Sequence, residues 1–178
     1  NIEIVDLKGD ATLKSSNGYI KVTNHTGSLR CDTSNGRIEL MNVKGESNLS
    51  TSNGRVFVDG CESVNSIETS NGSVEVRRTK VIGDVKTSNG KIEVEIENLK
   101  ANGAKIATSN GSIYVYLNEN LNLDIELETS NGKLDIKNLN IKTDVLKDTF
   151  LRGKLNYGGA LLVIRTSNAS IYLDKLIK

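Results

Sequence analysis

The sequence predicts an all-β chain, a single-stranded parallel β-helix (β-solenoid) of 18–21-residue coils. Three observations predict it. A phrase, Thr33-Ser34-Asn35-Gly36, returns around Asn53, Asn71, Asn89, Asn110 and Asn131; Ser15-Ser16-Asn17-Gly18 opens the series and Thr166-Ser167-Asn168-Ala169 closes it. Its Asn advances by 18 residues at each step from 17 to 89, by 21 to 110 and again to 131, then by 37 to 168. Around every copy the apolar residues keep the same offsets. A period of about 20 residues is the mark of stacked units that share one continuous core.

Ile2, Ile4 and Leu7 occupy the offsets that Ile38, Leu40 and Val43 hold later, so the chain opens on a strand in mid-coil. A start at Asn1 rather than Met agrees with a processed or truncated chain. In each full unit an apolar residue lies four before the Asn: Leu13, Cys31, Leu49, Ile67, Val85, Ile106, Leu127, Ile164. An apolar pair lies three and five after it, as in Ile20/Val22, Val56/Val58 and Ile113/Val115. The residues between are mostly polar, and period-two alternation signals a half-buried strand. Each unit therefore reads strand, Asn-Gly bend, strand, then a turn that often holds Gly, as at Gly9, Gly27 and Gly45.

Two topologies can use this unit. Asn-Gly between alternating strands is also the strongest short hairpin signal, which gives an antiparallel meander. Like residues at like offsets favour the parallel stack, because each strand then pairs with its own copy. Strands about 4.8 Å apart make a rod on the order of 40 Å long.

Alternation also assigns directions at the bend. If the residue four before the Asn points inward, the Thr two before it and the Asn itself point inward too. Buried amides need partners. A column of Asn17, Asn35, Asn53, Asn71, Asn89, Asn110, Asn131 and Asn168 supplies them, each amide donating to the next coil and accepting from the one before. The Gly is expected for positive φ, or because no Cβ fits. The rival expectation is a polar row that binds ice, a glycan or a metal.

Two stretches depart from the rule. The coils between Asn89 and Asn131 are three residues longer, at 95–102 and 116–123, and should bulge from one edge. The phrase lapses over 138–159. Taking Gly153 as a bend glycine puts Leu155 and Tyr157 at strand offsets and gives a degenerate coil; the alternative is a short helix or loop over 144–151.

Composition narrows function by exclusion. With 23 basic and 22 acidic residues the net charge is +1, too weak a field for nucleic acid or an anionic membrane. Aromatics at 4% give no stacking platform for single strands. No apolar run reaches the ~18 residues of a membrane helix. Cys31 and Cys61 read as buried free thiols rather than a disulfide framework. The single histidine, His25, sits at a corner offset and has no second His with which to share a site. Phosphate loops, zinc spacings and calcium nonapeptides are absent, so no cofactor is expected. The outward rows two and four after the Asn carry basic and acidic residues side by side, as a soluble sheet face does. Tyr19, Phe57, Tyr114, Tyr116 and Tyr172 stand on or beside those rows and are the candidates for partner contact.

The repeated Thr-Ser-Asn-Gly-x-Ile/Val-x-Val unit, with the ending Gly158-Gly159-Ala160-Leu161-Leu162-Val163-Ile164-Arg165-Thr166-Ser167-Asn168, resembles an adhesin family of β-strand-repeat proteins. That resemblance implies a bacterial, often envelope-associated protein, and it carries no catalytic residues. The reading is a single β-solenoid domain, residues 1–178, with an irregular coil or insertion at 138–159. It is a non-catalytic, extracellular or envelope scaffold or adhesion module whose outer faces meet a protein or glycan at the cell surface. The alternatives are a filament subunit joined through open coil edges and a carbohydrate-active β-helix enzyme.

Overall fold

Every Thr-Ser-Asn-Gly phrase is a corner that carries the chain from one β-sheet to another. The computed structural model describes residues 1–177, and the sheets lie on either side of a single core of apolar side chains. The regular coils run β1 (Ile2–Val5), β2 (Ala11–Ser15), β3 (Ile20–Thr23), β4 (Leu29–Thr33), β5 (Ile38–Met41), β6 (Glu46–Thr51), β7 (Val56–Asp59), β8 (Ser63–Thr69), β9 (Val74–Arg77) and β10 (Val81–Lys86). They continue with β11 (Ile92–Ile96), β12 (Ala104–Ala107), β13 (Ile113–Leu117), β14 (Leu123–Thr129) and β15 (Leu134–Ile136). Up to β15 the odd strands form the first sheet and the even strands the second. Up to β13 pairing is parallel, each strand with its copy one coil on: Ile20 beside Ile38 beside Val56, and Cys31 beside Leu49 beside Ile67. The meander is thereby excluded, and the β-solenoid reading holds.

Stacking like on like makes the core a set of columns. Ile20, Ile38, Val56, Val74, Ile92, Ile113 and Ile171 form one, each fully buried. Removing such a side chain from water is worth roughly 1.5–3 kcal/mol, so repetition of a modest unit builds a continuous core.

The corner departs from simple alternation. Thr33, Thr51, Thr69, Thr87, Thr108, Thr129 and Thr166 are buried as expected, but the Asn that follow are exposed. The strand ends at the Thr, the bend turns Ser and Asn outward, and the Gly falls inside. The ladder is nonetheless real, and it runs along the surface of the corner. Asn35 Nδ2 donates to Asn17 Oδ1 at 2.8 Å, and the same bond links 53 to 35, 71 to 53, 89 to 71 and 110 to 89 at 2.7 Å. The amides donate toward the preceding coil, opposite to the expected polarity.

Space rather than φ selects the corner glycine. A Cβ on Gly72 would sit 1.7 Å from the carbonyl oxygen of Gly54, and the bend glycines do not have positive φ. The Thr hydroxyl closes the same corner. Thr51 Oγ1 donates to the Gly36 carbonyl at 3.0 Å and accepts from the Gly54 N–H at 3.2 Å. Val could fill that volume but would leave both groups unpaired.

The far end breaks the sequence order. β16 (Ile141–Lys147) and β17 (Phe150–Leu155) form an antiparallel hairpin, so 138–159 is neither a degenerate coil, a helix nor a plain loop. Gly153 lies within β17 opposite Ile125 and Thr143, and Tyr157 is 92% exposed rather than on a strand. β18 (Ala160–Thr166) and β19 (Ile171–Lys175) then return as a coil inserted between two earlier ones. The first sheet thus ends β11-β13-β19-β15 and the second ends β12-β18-β14-β17-β16. The ladder follows space, not sequence: Asn168 donates to Asn110 at 2.7 Å and Asn131 to Asn168 at 2.8 Å.

Candidate functional site

Outward residues of the first sheet inherit the register of the core, so their side chains also stand in columns. The row four after the Asn reads, in space, Glu3, Lys21, Glu39, Phe57, Glu75, Glu93, Tyr114, Tyr172, Asp135. Arg37 and Arg55 stand in the row beside it. The insertion of β19 brings Tyr114 and Tyr172 together, rings 4.6 Å apart and 5° from parallel. Tyr116 lies one position along on β13, beside Asp174. Tyr19 and Phe57 lie toward the opposite end, under Arg37 at 5.3 Å and Arg55 at 5.8 Å from the ring centres. The five aromatic candidates thus form two groups rather than one platform.

Most charges on this face are paired. Arg37 meets Glu39 at 3.0 Å, Lys91 meets Glu93 at 2.7 Å and Lys137 meets Asp135 at 3.1 Å. Glu75 receives both Arg55 and Arg77. Arg78 forks onto Asp59, and its hydrogen bonds hold that carboxyl below the usual range. Such exposed pairs add little stability singly, but a registered network fixes side-chain positions. Between these rows lie a shallow depression of about 320 Å³ lined by Arg37, Glu39, Met41, Arg55 and Phe57, and one of about 180 Å³ among the three tyrosines, Asp135, Lys137 and Asp174.

The orientation of the tyrosine pair limits what it can hold. One face of Tyr114 carries Lys91, 5.4 Å from the ring centre, and the other is covered by Tyr172. Tyr114 therefore offers a partner its ring edge and hydroxyl rather than a ring face, whereas Tyr172 has one face covered by Tyr114.

On the second sheet Glu126 of β14 ties three strands together. Its carboxylate accepts from Arg152 of β17 at 2.8 Å and from Arg165 of β18 at 2.6 Å. The Arg152 bond, then the Arg165 bond, lower its pKa against the opposing effect of burial.

Other chemistry-bearing residues are internal. Cys31 and Cys61 are free and buried, and burial pushes their thiols up to about 12 and about 11. His25 is fully buried in the column of Val43 and Cys61, and neither ring nitrogen finds a hydrogen-bond partner among the described residues. Among the described residues no group of three His, Cys, Asp or Glu is placed to hold a metal ion, and no helix is long and apolar enough to cross a membrane.

One feature escaped the reading of the sequence. Asp6, Asn24 and Asn42 form a second, shorter ladder, with Asn24 Nδ2 donating to Asp6 Oδ1 at 3.0 Å and Asn42 Nδ2 to Asn24 Oδ1 at 3.2 Å. All three have φ near +55°, a conformation that Asn and Asp tolerate best after Gly. The signal was present: residues 6, 24 and 42, continued by Gly60, stand 18 apart.

Residues 4–171 match the family described as Toastrack DUF4097, and the chain belongs to that family. No protein of curated function and no solved structure matches it.

Proposed function

We propose that this Toastrack domain is a non-catalytic scaffold of the cell envelope or cell exterior, whose first-sheet outer face docks a protein partner. One observation carries the reading: that face is fixed before binding, its rows held by core register, ion pairs and cation–π contacts. Pre-ordered side chains lose little freedom on association. Tyr114, covered on one face by Lys91 and on the other by Tyr172, has no open ring face for a sugar to stack on, which favours a protein over a glycan there. Adhesion is one use of such a surface.

The two rival readings gain less support. Glycosidase chemistry asks for two carboxyl groups about 5–9.5 Å apart across a bond, free to take protons; the carboxylates of Glu39, Glu75, Glu93 and Asp135 are instead engaged by Arg or Lys. Head-to-tail filaments would stack the β1 and β2 edges of one copy on the far end of another. There the β16–β17 hairpin already occupies the next layers of the second sheet.

The test is binding of the purified chain to intact cells, with and without protease treatment of those cells. Protease should abolish binding, and the double variant Tyr114→Ser/Tyr172→Ser, still folded by circular dichroism, should weaken it about tenfold, or about 1.4 kcal/mol. Binding untouched by both treatments would sink the proposal. Release of new reducing ends from a polysaccharide would revive the enzyme.

A further inference from the structure

The inserted coil lies in a slot whose walls are copies of itself. β18 pairs with β12 on one side and β14 on the other, and β19 pairs with β13 and β15. Among the described residues no strand pairing joins those walls directly: β14 bonds to β18 and β17, and β15 to β19. The slot therefore fixes what fills it, a two-strand coil with apolar residues at the offsets of Leu162, Ile164, Ile171 and Leu173, but not which copy of the chain supplies that coil.

The connection that delivers the coil is short and bent. Residues 156–159 run from β17, on one side of β14, across the start of β14 to β18 on its other side. Asn156 and Gly158 have φ of +54° and +76°. The bend is held by the Asn156 amide, which donates to the carbonyls of Glu119 at 2.8 Å and Leu121 at 2.7 Å. A short hinge loop with a tight bend invites exchange.

We propose that residues 160–175 exchange between two copies of this chain, giving a domain-swapped dimer in which each copy's β18–β19 coil fills the other's slot. Every ladder and core contact of the monomer is remade in the dimer with the same residues. The hinge alone changes, so the balance is set by chain concentration and by the Asn156 clip.

The experiment uses the full chain carrying Lys105→Cys and Val163→Cys. These are outward, in-register neighbours on β12 and β18. The buried native thiols, with pKa values raised to about 12 and about 11, stay unreacted. The protein is unfolded in denaturant, refolded over a range of concentrations, sized by chromatography with light scattering, and treated with a short bismaleimide. The dimer-to-monomer ratio should rise about tenfold for each tenfold rise in free monomer concentration. Cross-links should join two chains in the dimer and stay within one chain in the monomer. Asn156→Ala, which removes the clip, should raise the dimer share at a given concentration. Monomer at every concentration, a dimer cross-linked only within chains, or a dimer share not raised by Asn156→Ala would each overturn the proposal.

Discussion

From Asn89 to Asn110, and again from Asn110 to Asn131, the chain advances 21 residues instead of 18. The surplus is put to different uses. In the first step it makes a surface turn, closed by the Gly103 N–H on the Lys100 carbonyl at 2.8 Å, and β12 still lands beside β10 in the next layer. In the second step the segment between β13 and β14 climbs two layers, about 9.6 Å rather than 4.8 Å, and leaves a vacant layer that β18 and β19 fill. Equal loop lengths hide unequal rises. A solenoid's period fixes its unit but not the order in which units are stacked.

Deleting residues 119–121 should break that contrast outright. An 18-residue step cannot skip a layer, so β14 would compete with β18 for the edge of β12. The loss should reach at least about 4 kcal/mol, read as a collapse in Tm and as rapid proteolysis within 160–175. Next come Gly90→Ala and Gly111→Ala, at the corners where the two steps begin. In each a Cβ would meet the preceding glycine's carbonyl oxygen at 1.9 Å. Both should cost about 3 kcal/mol in denaturant titrations, and equally so, because the corners are alike even where the loops are not.

A smaller effect separates the skipped layer from the rest by pH. Glu126 has its pKa lowered by Arg152 and Arg165, on the hairpin and on the inserted coil. A depressed carboxyl adds stability above the ordinary glutamate value of 4.5, and that stability is lost as pH falls through the lowered folded value. Glu126→Gln should cost up to about 1 kcal/mol at pH 7 and flatten the fall in Tm between pH 5 and pH 3 (about where glutamates titrate). An equal acid slope in both proteins would remove Glu126 from the account. Least of all, deleting residues 100–102 should restore an 18-residue coil and change stability by no more than about 0.5 kcal/mol. A large loss there would mean that the first step is not a dispensable bulge.

Much of this was legible in the residues. Alternation placed the strands and the inward Thr, and the recurring Asn gave the ladder. It failed at the corner, because alternation holds only while a strand continues, and Ser and Asn lie past its end. It also failed to place the inserted coil. Ile171 and Leu173 match Ile113 and Val115 as well as they match Leu134 and Ile136, so the pattern accepts either neighbour. The hairpin escaped because its face is thinly covered. Leu151 and Leu155 are buried, but Val145 and Leu146 of β16 remain exposed, so its apolar residues show no repeat offset. Of the aromatic candidates, the Tyr114–Tyr172 pair could not be foreseen, since 58 residues separate its members in the chain.

The inserted layer also has a history, written in the order of synthesis. A ribosome adds roughly 5–20 residues each second, and the coils up to β13 can stack as they emerge. β14 and β15 emerge next ahead of their native neighbours: β17 arrives with the hairpin, and β18 and β19 only after it. For some seconds the nascent chain carries a finished rod with an open edge and a detached module beside it. That interval is when a holding chaperone would have most to grip, and a chain stopped short of residue 160 would never leave it.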